Sequence, residues 1–543
     1  MAAVDPRYEV KNQSDLPVEK NRYLSNTHAQ RFIEARNLDE SSLIQYGQFL
    51  GTKEADKMAR EANDNSPVLN SFNRIGERID QVNFHPSYNY FMDMAMKSGV
   101  GSFPEKNGKG HLERALKLHM LSEIEPGHGC PISMTYAAVA TLEEEKSDRT
   151  TYLSSLIEKL RHQSYDPREV PISQKQSITS GMGMTERQGG SDVRANITFA
   201  TKVGGDRYQI FGHKWFMSAP QSDLFLVTAQ TDRGVTCFTV ARRREDGALN
   251  SIQIQRLKSK IGNRSNASSE VVFDGSEAHI VGEEGRGIAT IIKMVSHCRL
   301  DSLIGSAGEI RSATVDAIDH ARARMAFGRM LIDTELMEAV LGDMVIESIA
   351  ATMTSLRLAL CDDNAPFDEG EGALRRIGVP LAKFLVCKRA PTLIAEAVEC
   401  LGGNGYVEES RGAILFRESP LNGMWEGSGN VNALDLLRVM NRDQMARDQL
   451  FSYLKRHSID DIHLKRMIGD CEEAAIGEAI SESRARSLAT RLAKALQLSV
   501  LVEGGYHEVA TEYLKARIVP RSDGDILGTI EVGRGVRELI DTF

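Results

Sequence analysis

Gly181-Met-Gly-Met-Thr-Glu-Arg-Gln-Gly-Gly-Ser-Asp-Val193 is the stretch on which the reading of this chain turns. Its four glycines stand among Thr185, Ser191 and Asp192 without apolar periodicity, which predicts a ligand-holding loop rather than an amphipathic helix or an alternating strand. Glycine lets backbone N–H groups approach a ligand, and the hydroxyls of Thr185 and Ser191 can hydrogen-bond to a flat heterocycle or a carbonyl. Taken alone the run is weak, because an ordinary surface loop has the same composition. The strand, tight turn and helix that frame a dinucleotide fingerprint are not spelled out around its GxG.

The periodicity changes on either side of this stretch. Before it, Asn26–Glu34, Ser41–Leu50 and His111–Met120 place apolar residues three or four apart, and Glu54–Asn65 reads as a charged helix ending in a turn. After it, Ile197–Val203, Tyr208–Phe211, Leu224–Ala229, Val235–Ala241 and Glu270–Phe273 alternate or run β-branched between Gly and Asp punctuation. From Gly285 the helical period returns in four long segments, Gly287–Arg324, Thr334–Cys361, Glu371–Leu401 and Asn430–Arg447, as in a bundle. The expected organisation is an N-terminal helical domain (1–180), a middle β-domain (181–285), a helical bundle (286–445) and an additional helical region (446–543).

Composition narrows the function classes. A chain of 543 residues with formal net charge −9 is too long for one compact domain and too acidic for a generally nucleic-acid-coating surface. The seven cysteines lack CxxC spacing, so neither a metal site nor a disulfide framework is expected. No apolar run approaches the roughly 20 residues needed to span a bilayer, and the start has neither an apolar h-region nor an acid-free basic leader. The expectation is a cytoplasmic protein.

Further motifs follow in order: Gly212-His-Lys-Trp-Phe-Met-Ser218, Arg324-Met-Ala-Phe-Gly328, Leu401-Gly-Gly-Asn-Gly-Tyr406 and Trp425-Glu-Gly-Ser-Gly-Asn430. With these the chain resembles the acyl-CoA dehydrogenase flavoprotein family, whose TE-x-x-x-GSD, GxKxxxS, RxxFG, GGxGY and [YW]EG[ST] motifs occur at this spacing. Arg78–Pro86, Cys130–Thr135, Ile261–Ser268 and the C-terminal tail extend the likeness to the alkylation-response branch of that family. The resemblance implies an α+β, mainly α fold with a β-barrel between two helical domains, and FAD as cofactor.

It also implies roles. Glu426 would be the catalytic base, taking the α-proton of a fatty acyl-CoA while the β-hydrogen leaves as hydride to flavin N5, giving a trans-2-enoyl-CoA. A carboxylate beside Trp425 has its pKa raised towards roughly 6–7, nearer the ideal for a base at neutral pH. Some relatives keep the base immediately before an arginine on the first bundle helix; here that position is Cys298, so Glu426 is selected. Met182, Gly183, Met184, Thr185 and Ser191 map to flavin contacts, with Phe216 and Ser218 flanking the ring. Arg324 maps to an arginine reaching the FAD pyrophosphate of a neighbouring subunit, and Gly403, Ser428 and Asn430 complete the cofactor set. Ser191, Arg299, Trp425 and Gly427 would line the acyl-CoA site, with Arg299 near its CoA end; a helix-surface charge is an equal reading of that arginine. Asn430 is also a candidate N-cap for the helix that follows. A homo-oligomer, a tetramer built from dimers, and a flavoprotein electron acceptor belong to the same expectation.

Three functions compete: a dehydrogenase of medium- or long-chain fatty acyl-CoA, a low-turnover flavoprotein that sequesters fatty acyl ligands, and a DNA-associated flavoprotein. The last ranks low, because Lys455, Arg456, Lys465, Arg466, Arg484, Arg486 and Arg491 in the tail are offset by Asp460, Asp461, Asp470, Glu472, Glu473, Glu478 and Glu482.

Overall fold

The N-terminal helices begin where polar side chains can take up free helix N–H groups: the Asn26 side chain accepts from Ala29 and that of Thr52 from Ala55. The computed structural model describes residues 9–104, 110–144, 150–476, 480–520, 523 and 526–543. Helices α1 (Thr27–Glu34), α2 (Ser41–Leu50), α3 (Lys53–Asp64), α4 (Pro86–Lys97), α5 (His111–Ser122), α6 (Gly129–Glu144) and α7 (Thr150–Arg161) make up this part. Periodicity does not reveal the hairpin between α3 and α4, β1 (Val68–Phe72) with β2 (Arg78–Asn83). Its turn is built by Asn73, whose side chain accepts from the N–H groups of Ile75 and Glu77.

The middle region is a seven-stranded sheet of β3 (Ser180–Gly183), β4 (Phe199–Gly204), β5 (Arg207–Ser218), β6 (Leu224–Thr231), β7 (Gly234–Ala241), β8 (Ile252–Leu257) and β9 (Ser268–Val281). Pairing of β5 with β9 closes β5-β4-β6-β7-β9 into a barrel. One expectation is corrected here. Ser180–Gly183 is not loop but a fully buried strand, running parallel to β6 from Ser180↔Leu224 to Gly183↔Val227. Glycine hides it from a period-two reading, and the glycines are required by packing. A Cβ on Gly183 would lie 2.6 Å from Met217 Sδ, and one on Gly181 2.3 Å from the Ser218 carbonyl oxygen.

Beyond the barrel stand α8 (Gly287–Ala323), α9 (Glu335–Asn364), α10 (Glu369–Cys400), α11 (Arg411–Glu418) and α12 (Gly429–Arg442). At 37 residues α8 is about 55 Å long and spans the molecule from the barrel to the far end of the bundle. By length and composition α9 could cross a membrane, but its most apolar stretch is almost wholly buried inside the protein, as a core helix. The last expected bundle segment ends early, at Arg442, because Asp443 caps a new helix by accepting from the Ala446 N–H. That helix, α13 (Gln444–Arg456), is followed by α14 (Ile462–Ile476), α15 (Ala485–Glu503), α16 (His507–Arg517) and α17 (Arg534–Asp541). Of these, α13, α15, α16 and α17 pack onto α9 or α10 and α14 packs onto α15, so one apolar core runs through the N-terminal helices, the bundle and the tail.

Candidate active site

Glu426 sits in the short connection between α11 and α12 with a backbone φ of +55°, a conformation that non-glycine residues adopt only when their surroundings impose it. Two cations impose it. Arg299 on α8 donates its Nε–H to the Glu426 carbonyl at 2.8 Å and its Nη1–H to Asp435 Oδ2 on α12 at 2.8 Å. Lys383 on α10, 1% exposed, donates to the carbonyls of Asn422, Trp425 and Gly427 at 2.9, 3.0 and 3.1 Å. Gly427 follows with φ +98°, and a Cβ there would lie 3.2 Å from Arg299 Nη2. The side-chain Oε2 of Glu426 is buried with no hydrogen-bond partner among the described residues. Burial pushes the carboxyl up to about 7 against the downward pull of Lys383 and Arg299.

This carboxyl borders a narrow cavity between α5, α6, α8 and the α11–α12 connection. Cys298, Ser302, Gly305 and Glu309 line it along one face of α8, with Leu118, Met134 and Trp425 among the apolar groups opposite. The Trp425 indole N–H donates to Asn422 Oδ1 at 2.8 Å, which fixes the ring against the cavity wall. Cys298 faces the same cavity as Glu426, so the two positions between which the sequence reading chose open on one space.

The barrel adjoins the site through one apolar cluster. Gly183 of β3 pairs with Met217 of β5, and the Thr185 carbonyl accepts from the Trp215 N–H at 2.8 Å, so Met182–Thr185 lie beside Phe216 and Ser218. Met182, Met184 and Trp425 belong to one apolar cluster with Cys130, Met134 and Cys298. Phe216 is 47% exposed at this rim, with the Lys258 ammonium 4.5 Å from its ring centre. Apolar side chains beside the hydroxyl-bearing Thr185 and Ser218 suit, in their chemistry, a flavin ring, which is flat and apolar on its faces and polar on its rim. Ser191 lies exposed in the loop after β3.

This geometry meets its counterpart in known proteins. Three family models match in succession: the adaptive response protein AidB N-terminal domain over residues 12–167, the acyl-CoA dehydrogenase middle domain over 181–276 and the acyl-CoA dehydrogenase C-terminal domain over 285–441. AidB of Escherichia coli K12, provisionally named an acyl-CoA dehydrogenase, is 41% identical over 77% of this chain and 77% of its own. The chain belongs to the acyl-CoA dehydrogenase family, in its AidB branch. The acyl-CoA dehydrogenase family member 11 of Caenorhabditis elegans is 29% identical over 72% of this chain and 65% of its own. The solved structure of Caenorhabditis elegans ACDH-11 in complex with C11-CoA superimposes with a TM-score of 0.85 at 24% identity, covering 97% of this chain and 95% of that one, and so shares the fold.

The remaining family motifs lie elsewhere in the molecule. Arg324 ends α8, about 37 Å along the helix from Arg299, and its Nη1 donates to the Asn12 carbonyl. Asn12 also holds both backbone polar groups of Met325, and Gln13 Oε1 accepts from Asn404 beside Gly403 at 3.0 Å. Arg324 and Gly403 therefore share one surface, strapped by residues 12 and 13, away from Glu426. Ser428, not Asn430, occupies the N-cap of α12; the Asn430 side chain is exposed and accepts from Arg486 of α15 at 2.9 Å. Arg299 lies beneath the Glu426 loop with its Nε and Nη1 engaged by protein.

Lys383, Asp435 and Asn422 escaped the sequence reading because each acts on backbone or on another side chain from a helix of ordinary pattern. Glu186 and Lys214, conspicuous within the motifs, form a fully buried pair at 2.8 Å that ties the loop after β3 to β5. Glu186 further accepts from the Ile197 N–H at 2.8 Å.

Proposed function

We propose that this chain is an FAD-dependent acyl-CoA dehydrogenase that introduces a trans-2 double bond into a medium- or long-chain fatty acyl-CoA, with Glu426 as the base. The observation that carries the proposal is the unpartnered, buried Oε2 of Glu426, held at the mouth of the cavity by a clamped loop and poised near pH 7. A base ionised at neutral pH and shielded from water is what removal of a proton α to a thioester demands. Trp425 and Cys298 line the cavity beside it, while Arg299 and Lys383 stabilise its ionised form without hydrogen-bonding to its side-chain carboxylate. FAD, when bound at the Met182–Thr185 and Phe216–Ser218 rim, supplies the two-electron acceptor, and a flavoprotein acceptor would reoxidise it. The face around Arg324 carries wholly exposed Phe327 and Leu336 at 84% exposure, which supports assembly with further copies of the chain, as a tetramer built from dimers.

The test is anaerobic mixing of the yellow holoprotein with a ladder of saturated acyl-CoAs. Bleaching of the flavin at one range of chain length supports the dehydrogenase, and Glu426→Gln should lower that rate by about 10²–10⁴ while FAD stays bound. Binding without bleaching at any length would refute catalysis and favour the sequestering alternative. Association with duplex DNA ranks lowest, because Lys455, Lys465 and Arg491 of the tail are paired with Glu472, Asp460 and Asp470.

A further inference from the structure

The far end of the cavity holds carboxyl groups for which proton abstraction has no use. Glu309 lies on α8 eleven residues beyond Cys298, about 16 Å along the helix axis, and its side chain is fully buried. Its Oε1 accepts from Asn422 Nδ2 at 3.0 Å, whereas its Oε2 has no partner among the described residues. Glu418, at the end of α11, lines the same end and accepts from both the backbone and the side-chain N–H of Asn263, the latter at 2.8 Å. Glu125 and the Lys260 ammonium lie nearby, Glu125 accepting from the Ser265 hydroxyl at 2.7 Å and from His128. Burial and the adjacent Glu418 hold the Glu309 carboxyl well above the usual carboxylate range, which favours its protonated form. With Oε1 accepting from Asn422, the acid hydrogen belongs on Oε2, where it is a donor without an acceptor.

The cavity is only about 30 Å³, so an acyl tail enters it by pushing the walls apart, and a hydrocarbon tail that did so would leave that donor unpaired and out of water, which is unfavourable for any buried polar group. A tail ending in carboxylate would bring another negative group beside Glu418 and Glu125, and one ending in ammonium has no acceptor to offer the donor. A neutral oxygen satisfies the donor at no such cost. We propose that Glu309 is a specificity-determining group, and that the acyl chain this cavity takes carries a hydroxyl or oxo oxygen towards its distal end that accepts a hydrogen bond from the Glu309 carboxyl. The proposal rests on the acyl-CoA dehydrogenase reading of the site and names its substrate class.

The experiment uses the FAD-loaded protein and three matched ladders of acyl-CoA: saturated, ω-hydroxy and ω-carboxy. Kd is read by calorimetry, and bleaching of the flavin is read separately. The expected result is that, at one chain length, the ω-hydroxy ligand binds about tenfold or more tighter than the saturated one, with the ω-carboxy ligand weakest. Glu309→Leu should erase that preference, whereas Glu309→Gln, which keeps an N–H donor in place, should retain it. Equal Kd for hydroxy and saturated ligands at every length overturns the proposal, and the wild-type comparison decides this even where a variant fails to fold. A preference unchanged in a folded Glu309→Leu also overturns it. Bleaching by saturated chains without hydroxy preference leaves the dehydrogenase standing and removes Glu309 from substrate choice. Hydroxy preference without bleaching does the reverse, and no binding by any ladder refutes both.

Discussion

Lys383→Met isolates the device that holds the candidate base. The ammonium donates to three buried carbonyls, at 2.9, 3.0 and 3.1 Å, all within the connection that presents Glu426. Hydrogen bonds from a charged donor contribute about 1.5–3 kcal/mol each, but removing the lysine also relieves the cost of burying its charge, which holds its pKa below the ordinary lysine value. Methionine fills a similar volume, so the net loss of stability should be about 2–4 kcal/mol, the scale of a broken buried network. The catalytic effect should be larger in proportion. Freed of the lysine, the loop can relax the left-handed backbone of Glu426, whose strain is of order 1–3 kcal/mol, and the carboxyl leaves its position over the cavity. Dehydrogenation should fall about 10²-fold with FAD content unchanged. Loss of a nearby cation also disfavours the ionised carboxyl, so the acidic limb of the rate profile should move to higher pH than in the wild type. The assay is single-turnover bleaching as a function of pH, with melting temperature and flavin content measured on the same sample. A variant that keeps both the wild-type rate and the wild-type limb would refute the claim that Lys383 positions the base.

Three further outcomes follow from the same contacts. A Cβ on Gly305 would lie 3.4 Å from Asn422 Nδ2 and 3.6 Å from Ser122 Oγ, an ordinary contact, so Gly305→Ala should fold and narrow the cavity midway; the preferred acyl length in the bleaching ladder should shorten, and an unchanged ladder would show that chains do not run along α8. Glu186→Gln leaves the buried Lys214 without its carboxylate and should cost about 3–5 kcal/mol, visible as a lower denaturation midpoint, whereas a change below 1 kcal/mol would mean that Lys214 is neutral in the folded protein. Against the upward pull of burial, Lys214 holds Glu186, Arg311 holds Glu123, and Arg389 with Arg517 holds Glu347 at about 2. Their folded pKa values lie below the unfolded value of 4.5, so their stabilisation is present above that pH and is lost as pH falls towards 2. Urea midpoints should drop over that window, and midpoints that hold to pH 2 would contradict these pairings.

The local pattern of residues was enough to place the long bundle helices, several barrel strands and the Trp425-Glu426-Gly427 loop, because amphipathic periods of 3.6 and 2 and glycine punctuation are written in neighbouring residues. It failed at Ser180–Gly183, where glycines demanded by close strand contact erase the alternation that marks a strand. It failed again at the hairpin 68–83, which is short and only partly buried. For the site, the family resemblance carried by the ordered motifs pointed to Glu426 and to the candidate flavin contacts, since each motif is a short run of neighbouring residues. What the sequence by itself determined is therefore the family, the order of layers and the identity of the candidate base. The clamp by Arg299 and Lys383, the separation of Arg324 and Gly403 from Glu426, and the buried Glu309 at the cavity's end were decided only by tertiary structure. Each depends on side chains tens or hundreds of residues apart meeting in space, and on burial, which sets a carboxyl's protonation and belongs to no residue alone.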